Sequence, residues 1–173
     1  SWADLKQYKA NGITENGGML EYWENAYYTV RNLNDAITKL PDAPIDKDLA
    51  ELRMAEARFL RAYIYFSMAK RYGGVPLLTV VPQVNSSEEI LYPKRNTEKE
   101  VYDFVISETE EIKEILSRTT DYGRATKWAA LALQSRAALY AGSIAKYGKE
   151  QLNGLLGFPA GMASEYFQKA YSA

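Results

Sequence analysis

Two pairs of adjacent carboxylates, Glu88-Glu89 and Glu110-Glu111, are the first candidates for chemistry in this chain. Sugar hydrolysis needs two carboxyl groups facing each other about 5–10 Å apart across the substrate. Sequence neighbours on a helix project about 100° apart, so Glu110-Glu111 reads as a solvated helix face. Gly73-Gly74 follows a helical pattern and lacks the Lys-Ser/Thr context of a phosphate loop, so it reads as a helix C-cap and turn. The 173 residues include no His and no Cys. That excludes a Ser-His-Asp triad, a His general base, a thiol nucleophile and any His- or thiolate-held metal. No catalytic residue, metal ligand or cofactor site is assigned.

Binding chemistry remains. Arg58 and Arg61 sit among aromatics in "AEARFLRAYIYFSMAKRYGGVP". They are candidates to grip a ligand, but Arg suits partly buried ion pairs, and pairing with acids or carbonyls on adjoining helices is the preferred reading. Trp23, Tyr63, Tyr65 and Trp128 lie at core spacing on helical patterns and are expected to pack inside. Trp2 and Tyr8 lie outside the periodic segments. The net charge of −1 leaves no electrostatic footprint for nucleic acid or an anionic membrane surface. The longest apolar run, "VPLLTVV", is far short of the roughly 18 residues of a membrane span.

The elements that must position these residues are helices. Met19, Trp23, Tyr27, Val30, Leu33, Ile37 and Leu40 recur at spacings of three and four, which predicts a helix ended by Pro41 and Pro44. A second helix is predicted from about Asp46 to Tyr72. It has two apolar faces, one with Leu52, Ala55, Phe59, Ala62 and Phe66, the other with Ala57, Leu60, Ile64 and Met68. A surface helix has one apolar stripe, so this helix is expected between neighbours on both sides, with Phe59 and Phe66 nearly fully buried. Thr97-Glu98-Lys99-Glu100 is a capping box that opens a third helix to about Leu116. An Ala-rich fourth helix runs from about Thr126 to Tyr147.

The two helix pairs repeat. Arg61, Ala62, Tyr65, Tyr72 and Gly73 recur 75 positions later as Arg136, Ala137, Tyr140, Tyr147 and Gly148. Tyr27/Tyr102, Val30/Val105, Ile37/Ile112 and Ala55/Ala130 keep the same offset. Helix pairs that cannot bury both faces alone stack on one another. The expected organisation is a single helical-repeat segment: an irregular lead-in over 1–18, a first helix pair over 19–72, and a loop over 73–96. A second helix pair follows over 97–148, then a loop and the start of a further helix over 149–173.

Four stretches in order, "YWENAYYTVRNLNDAI", "AEARFLRAYIYFSMAKRYGGVPLLT", "RNTEKEVYDFVISETEEI" and "GRATKWAALALQSRAALYAG", closely resemble the SusD/RagB family. The first includes that family's habitual Asn before the helix end, here Asn32 or Asn34. The resemblance implies an all-α fold of tetratricopeptide-like stacked helix hairpins. It also implies a glycan-binding component of an outer-membrane uptake complex, exposed at the cell surface and lipid-anchored. Its partners would be an oligosaccharide or polysaccharide and a SusC-like TonB-dependent outer-membrane transporter. No cofactor and no nucleic acid are implied. The chain is shorter than a whole family member and has no lipidation Cys, so it is expected to be the helical-repeat segment of a longer protein. The stretch before the first repeat helix often supplies aromatic and amide residues to the glycan site in this family, which marks Trp2, Tyr8 and Asn11.

Two other functions compete. A tetratricopeptide-type scaffold holding a peptide usually exposes repeated Asn, Lys and Arg on its inner helices, whereas the helices here are apolar or Ala-rich. An all-helical carbohydrate-active enzyme would need a paired acid and base, and none stands in a recognisable motif. Sugar recognition wants an exposed aromatic face rimmed by amide and carboxylate groups. With the helix aromatics committed to packing, this segment is expected to act mainly as scaffold and partner-docking surface, and to bind glycan weakly or not at all by itself.

Overall fold

The computed structural model describes residues 21–118 and 121–173, together with the backbone of a two-residue hairpin, β1 (Ile13–Thr14) and β2 (Gly17–Gly18). The helices among the described residues are α1 (Trp23–Lys39), α2 (Lys47–Tyr72), the single-turn α3 (Glu88–Leu91), α4 (Glu98–Leu116), α5 (Lys127–Tyr147) and α6 (Ala163–Ser172). Each long helix stands where its periodicity puts it, and local chemistry fixes its ends. Pro41 sits in the 3₁₀ turn Leu40–Asp42 that closes α1. The Asp46 side chain accepts from the Leu49 N–H at 3.1 Å to open α2, and Thr126 does the same for α5 through Ala129. Both halves of the Thr97–Glu100 capping box are formed, satisfying two N–H groups that a helix start leaves orphaned.

The helices stack as hairpins. α1 packs on α2, α2 on α4, α4 on α5 and α5 on α6, which is the all-α, tetratricopeptide-like arrangement expected. Small residues set the spacing: Ala62, Ala130, Ala137, Ala138 and Ala141 are fully buried. At Gly142 a Cβ would fall 2.7 Å from the Phe167 ring of α6, so the α5–α6 contact needs glycine there.

Gly73-Gly74 does more than end a helix. Gly73 caps α2 with a positive φ of 69°, a conformation that suits glycine. The Gly74 N–H donates to the Leu155 carbonyl at 2.7 Å, and a Cβ on Gly74 would meet the Asn96 carbonyl at 2.0 Å. The end of α2, the lead into α4 and the loop after α5 thus meet backbone to backbone. Glu98 lies at this junction, buried, accepting from the Gly157 N–H at 2.6 Å.

Burial pushes the Glu98 carboxyl above its ordinary value, against the smaller opposing effect of the Gly157 N–H. Between the ordinary and the raised value the folded state binds more protons than the unfolded one. Glu98 therefore removes stability as pH rises through that window. Glu98→Gln keeps an acceptor for Gly157 and is expected to melt above wild type at neutral pH. The two melting curves should converge once the medium is below about pH 4, where the unfolded carboxyl is protonated too. A thermal melt at several pH values checks it.

The core departs from expectation at three rings. Phe66 is 1% exposed, but Phe59 is only half-buried, wedged between the larger core cluster and a smaller one around Ala55, Ile112 and Leu116. Tyr63 is 53% exposed and Trp128 is 74% exposed, so neither is a core residue. Leu60, on the second apolar face of α2, is exposed as well. The reason is geometric. α2 is flanked by α1 and α4, which cover most of its circumference but leave the strip with Leu60 and Tyr63 open. Trp128 lies in the first turn of α5, before the part of that helix that Ala170 and Phe167 of α6 meet at Ser135 and Gly142. The 75-residue repeat shows the same effect. Ala62/Ala137 and Val30/Val105 are buried in both copies, whereas Tyr65 is buried and Tyr140 is 38% exposed.

Candidate functional site

Trp2, Tyr8 and Asn11 lie outside the described residues, and the surface that follows them begins at α1. Glu24, Asn25, Tyr28 and Arg31 share one face of this helix, because residues three and four apart are neighbours on its surface. Tyr28 is 67% exposed. Opposite it runs the chain after α2, where Leu78, Val80 and Pro82 form a second wall. The two walls bound a groove of about 610 Å³.

The second wall is irregular backbone, yet it is held firmly. The Tyr27 hydroxyl donates to the Pro76 carbonyl at 2.8 Å, and the Asn34 amide donates to the Leu78 carbonyl at 2.8 Å. The Tyr65 hydroxyl accepts from the Leu78 N–H at 2.6 Å and donates to the Leu78 carbonyl at 3.1 Å. Burial pushes the Tyr65 phenol up to about 12 and raises that of Tyr27 further, so both remain hydroxyl donors at neutral pH. Asn34, 1% exposed, is the buried asparagine of the pair noted in the sequence.

Behind the groove lies an ion cluster. The Asn34 Oδ1 accepts from Arg61 Nη1 at 2.6 Å. Arg61 Nη2 donates to Glu108 at 2.8 Å, and Arg58 reaches both Glu108 at 2.7 Å and Glu111 at 2.5 Å. The arginines therefore bind acids of α4, which is their structural reading. Arg136, the repeat counterpart of Arg61, is exposed. A second cluster joins Glu56 of α2 to Arg53 at 2.9 Å and to Arg124 in the loop before α5. Burial acts to raise the Glu56 carboxyl, but the two guanidiniums together hold it below its ordinary value.

A second groove, of about 580 Å³, lies between α4 and α6. Its charges are paired internally: Lys99 with Asp103 at 2.5 Å, Lys113 with Glu110 at 2.6 Å, and Lys169 with Glu165 at 2.7 Å. No aromatic ring lines it. Glu110 and Glu111 are both exposed and each holds a cation, so they face solvent as expected. Elsewhere, Leu60 and Tyr63 of α2 and Trp128 and Leu139 of α5 present exposed apolar surface. Among the described residues no group of acidic side chains could hold a metal ion, and no helix is long and apolar enough to cross a membrane.

Glu108 and Tyr28 are the residues that the sequence reading passed over. Tyr28 is one position off the Trp23–Tyr27–Val30 stripe, and the 24/28/31 spacing is the signal that marks its outward face.

The sequence and the helical fold have counterparts in known proteins. Residues 1–139 match the sequence model of a SusD-like family described as starch-binding and associating with the outer membrane. A SusD-like protein, P38, of Formosa agariphila is 30% identical over 118 residues, 68% of this chain and 22% of that protein. The crystal structure of a SusD-like protein from Bacteroides fragilis superposes with a TM-score of 0.64 at 38% identity, covering 70% of this chain and 24% of that one. A laminarin-binding SusD-like protein gives a TM-score of 0.63 at 28% identity, covering 70% of this chain and 26% of its own. The chain thus spans about a quarter of the length of the proteins it matches. Across most of its residues it belongs to the SusD-like family.

Proposed function

We infer that this chain is the helical-repeat segment of a glycan-binding component of an outer-membrane uptake complex. The whole protein captures polysaccharide or oligosaccharide at the cell surface and passes it to a SusC-like TonB-dependent transporter, held to the membrane by a lipid anchor. The observation that carries this reading is the family match over residues 1–139, whose description joins starch binding to the outer membrane. The relative that binds laminarin supports a glucan among the candidates.

Within that protein the segment acts mainly as scaffold. Its ion clusters and Ala-lined contacts hold rigid helices, and the lead-in carrying Trp2, Tyr8 and Asn11 supplies glycan contacts. The exposed Leu60, Tyr63, Trp128 and Leu139 suit docking against a partner, since apolar surface left open on packed helices marks interaction sites. No catalytic step is assigned to it.

Isothermal titration of the full-length protein with starch-derived and laminarin-derived oligosaccharides tests the reading. Binding of at least one, with no new reducing ends released, is the expected result. Trp2→Ala should weaken that binding several-fold more than Trp128→Ala, because Trp128 faces a partner and not the sugar. Equal affinity in wild type and Trp2→Ala removes Trp2 from the site. Absence of binding to every oligosaccharide of the panel counts against the function itself.

A further inference from the structure

We propose that the groove between α1 and the segment 76–82 is a carbohydrate subsite in its own right, taking a neutral pyranose unit against the ring of Tyr28. The proposal rests on the glycan-binding reading and assigns it a place on the described helices. A sugar ring has apolar faces made of C–H groups and an equator of hydroxyls. It is recognised by an exposed aromatic face beside a few fixed polar groups, in a concavity of about 300–1,000 Å³. The groove, at about 610 Å³, has these features together.

Tyr27 and Tyr28 are adjacent but do different things. Tyr27 is tied to the Pro76 carbonyl, whereas Tyr28 is 67% exposed on the groove side. Glu24 lies one turn before Tyr28 and Arg31 nearly one turn after it, with Asn25 alongside. Among the described residues none of these three side chains has a hydrogen-bond or ion-pair partner, and their carboxylate, amide and guanidinium groups are the kind that bind sugar hydroxyls. One carboxylate and one guanidinium leave the rim locally neutral. That balance disfavours a phosphate or a polyanion, which the carboxylate would repel, and fits an uncharged polyol.

Preorganisation supports the same occupant. Three side chains pin the wall opposite Tyr28, so little ordering remains to be done when a ligand enters. The α4–α6 groove fails the same comparison: it is similar in volume, but its charges are already paired and it has no ring.

The test uses the full-length protein, titrated with the starch- and laminarin-derived oligosaccharides of the panel above. Wild type, Tyr28→Ala, Tyr28→Phe and Arg31→Ala are compared, each with a thermal melt. Tyr28→Ala is expected to weaken the best-bound oligosaccharide about tenfold, while its melting temperature stays at the wild-type value. Tyr28→Phe should retain affinity within about twofold, because the stacking face survives, and Arg31→Ala should lose about as much as one charged hydrogen bond provides. Wild-type affinity in Tyr28→Ala overturns the subsite. If its melting temperature also falls, the groove is covered by another part of the protein. A wild-type protein that binds none of the panel removes the glycan reading and the subsite with it, an outcome distinct from loss of the subsite alone.

Discussion

Glu108→Ala is expected to destabilise the protein by about 3–5 kcal/mol, the cost of breaking a buried ion pair from one side. Glu108 is 8% exposed and Arg61 is 5% exposed. Its Oε1 accepts from Arg58 Nη2, and its Oε2 accepts from both Arg61 Nη2 and Arg58 Nε. Without Glu108, Arg58 keeps Glu111 at the surface, but Arg61 is left with the neutral Asn34 and Thr79 oxygens. A guanidinium buried without its counter-charge is the source of the loss. Replacing both partners by apolar residues, Arg61→Leu with Glu108→Leu, should cost less than Glu108→Ala, since the uncompensated charge disappears along with the pair. Urea denaturation of the full-length protein measures both. A loss below about 1 kcal/mol for Glu108→Ala, the worth of an exposed pair, would show that water reaches Arg61.

The second large effect belongs to Phe66. Its ring makes edge-on contacts with Tyr102 at 6.1 Å and Tyr140 at 5.4 Å between centroids, and the Lys70 ammonium lies 4.5 Å from its centre. It thereby joins α2 to both α4 and α5. Phe66→Ala removes those contacts and leaves a cavity between helices that other core groups hold apart, at a cost of about 3–5 kcal/mol. Phe59→Ala should cost clearly less, because a half-buried ring surrenders less surface to water. The same denaturation series compares the two. Equal losses would mean that Phe59 is covered in the full-length protein.

Phe59 and Phe66 also show how far the sequence reaches. Both lie on one helical stripe, and spacing alone assigns them the same fate. Periodicity says which residues share a face, but it does not say which faces a neighbour covers. Leu60, Tyr63 and Trp128 are misread for that reason: each sits at core spacing on a helix whose neighbours leave that strip open. The ends of helices were far more legible. Pro41, Gly73, Thr97 and Thr126 act through contacts within a few residues, and the structure uses each as its local chemistry dictates.

Long-range pairings were legible in kind only. The chemistry of Arg58 and Arg61 called for acids on an adjoining helix. That Glu108 takes both arginines, 50 and 47 positions away, depends on the register of α2 against α4. The Tyr28 groove lies further beyond sequence reasoning. One wall is a helix face and the other is irregular chain some 50 positions later, held there by Tyr27, Asn34 and Tyr65. No local pattern marks that meeting.

Hydrogen–deuterium exchange of the full-length protein, with and without its best-bound oligosaccharide, tests the central division between scaffold and sugar contact most directly. Ligand should slow exchange in the lead-in over 1–20, at the start of α1 and in the segment 76–84. Exchange in α2, α4 and α5 should stay unchanged, since their amides are already held by packed helices. Protection confined to α2 and α5, with α1 and the lead-in unaffected, would contradict the account by placing the sugar on the face assigned to the partner.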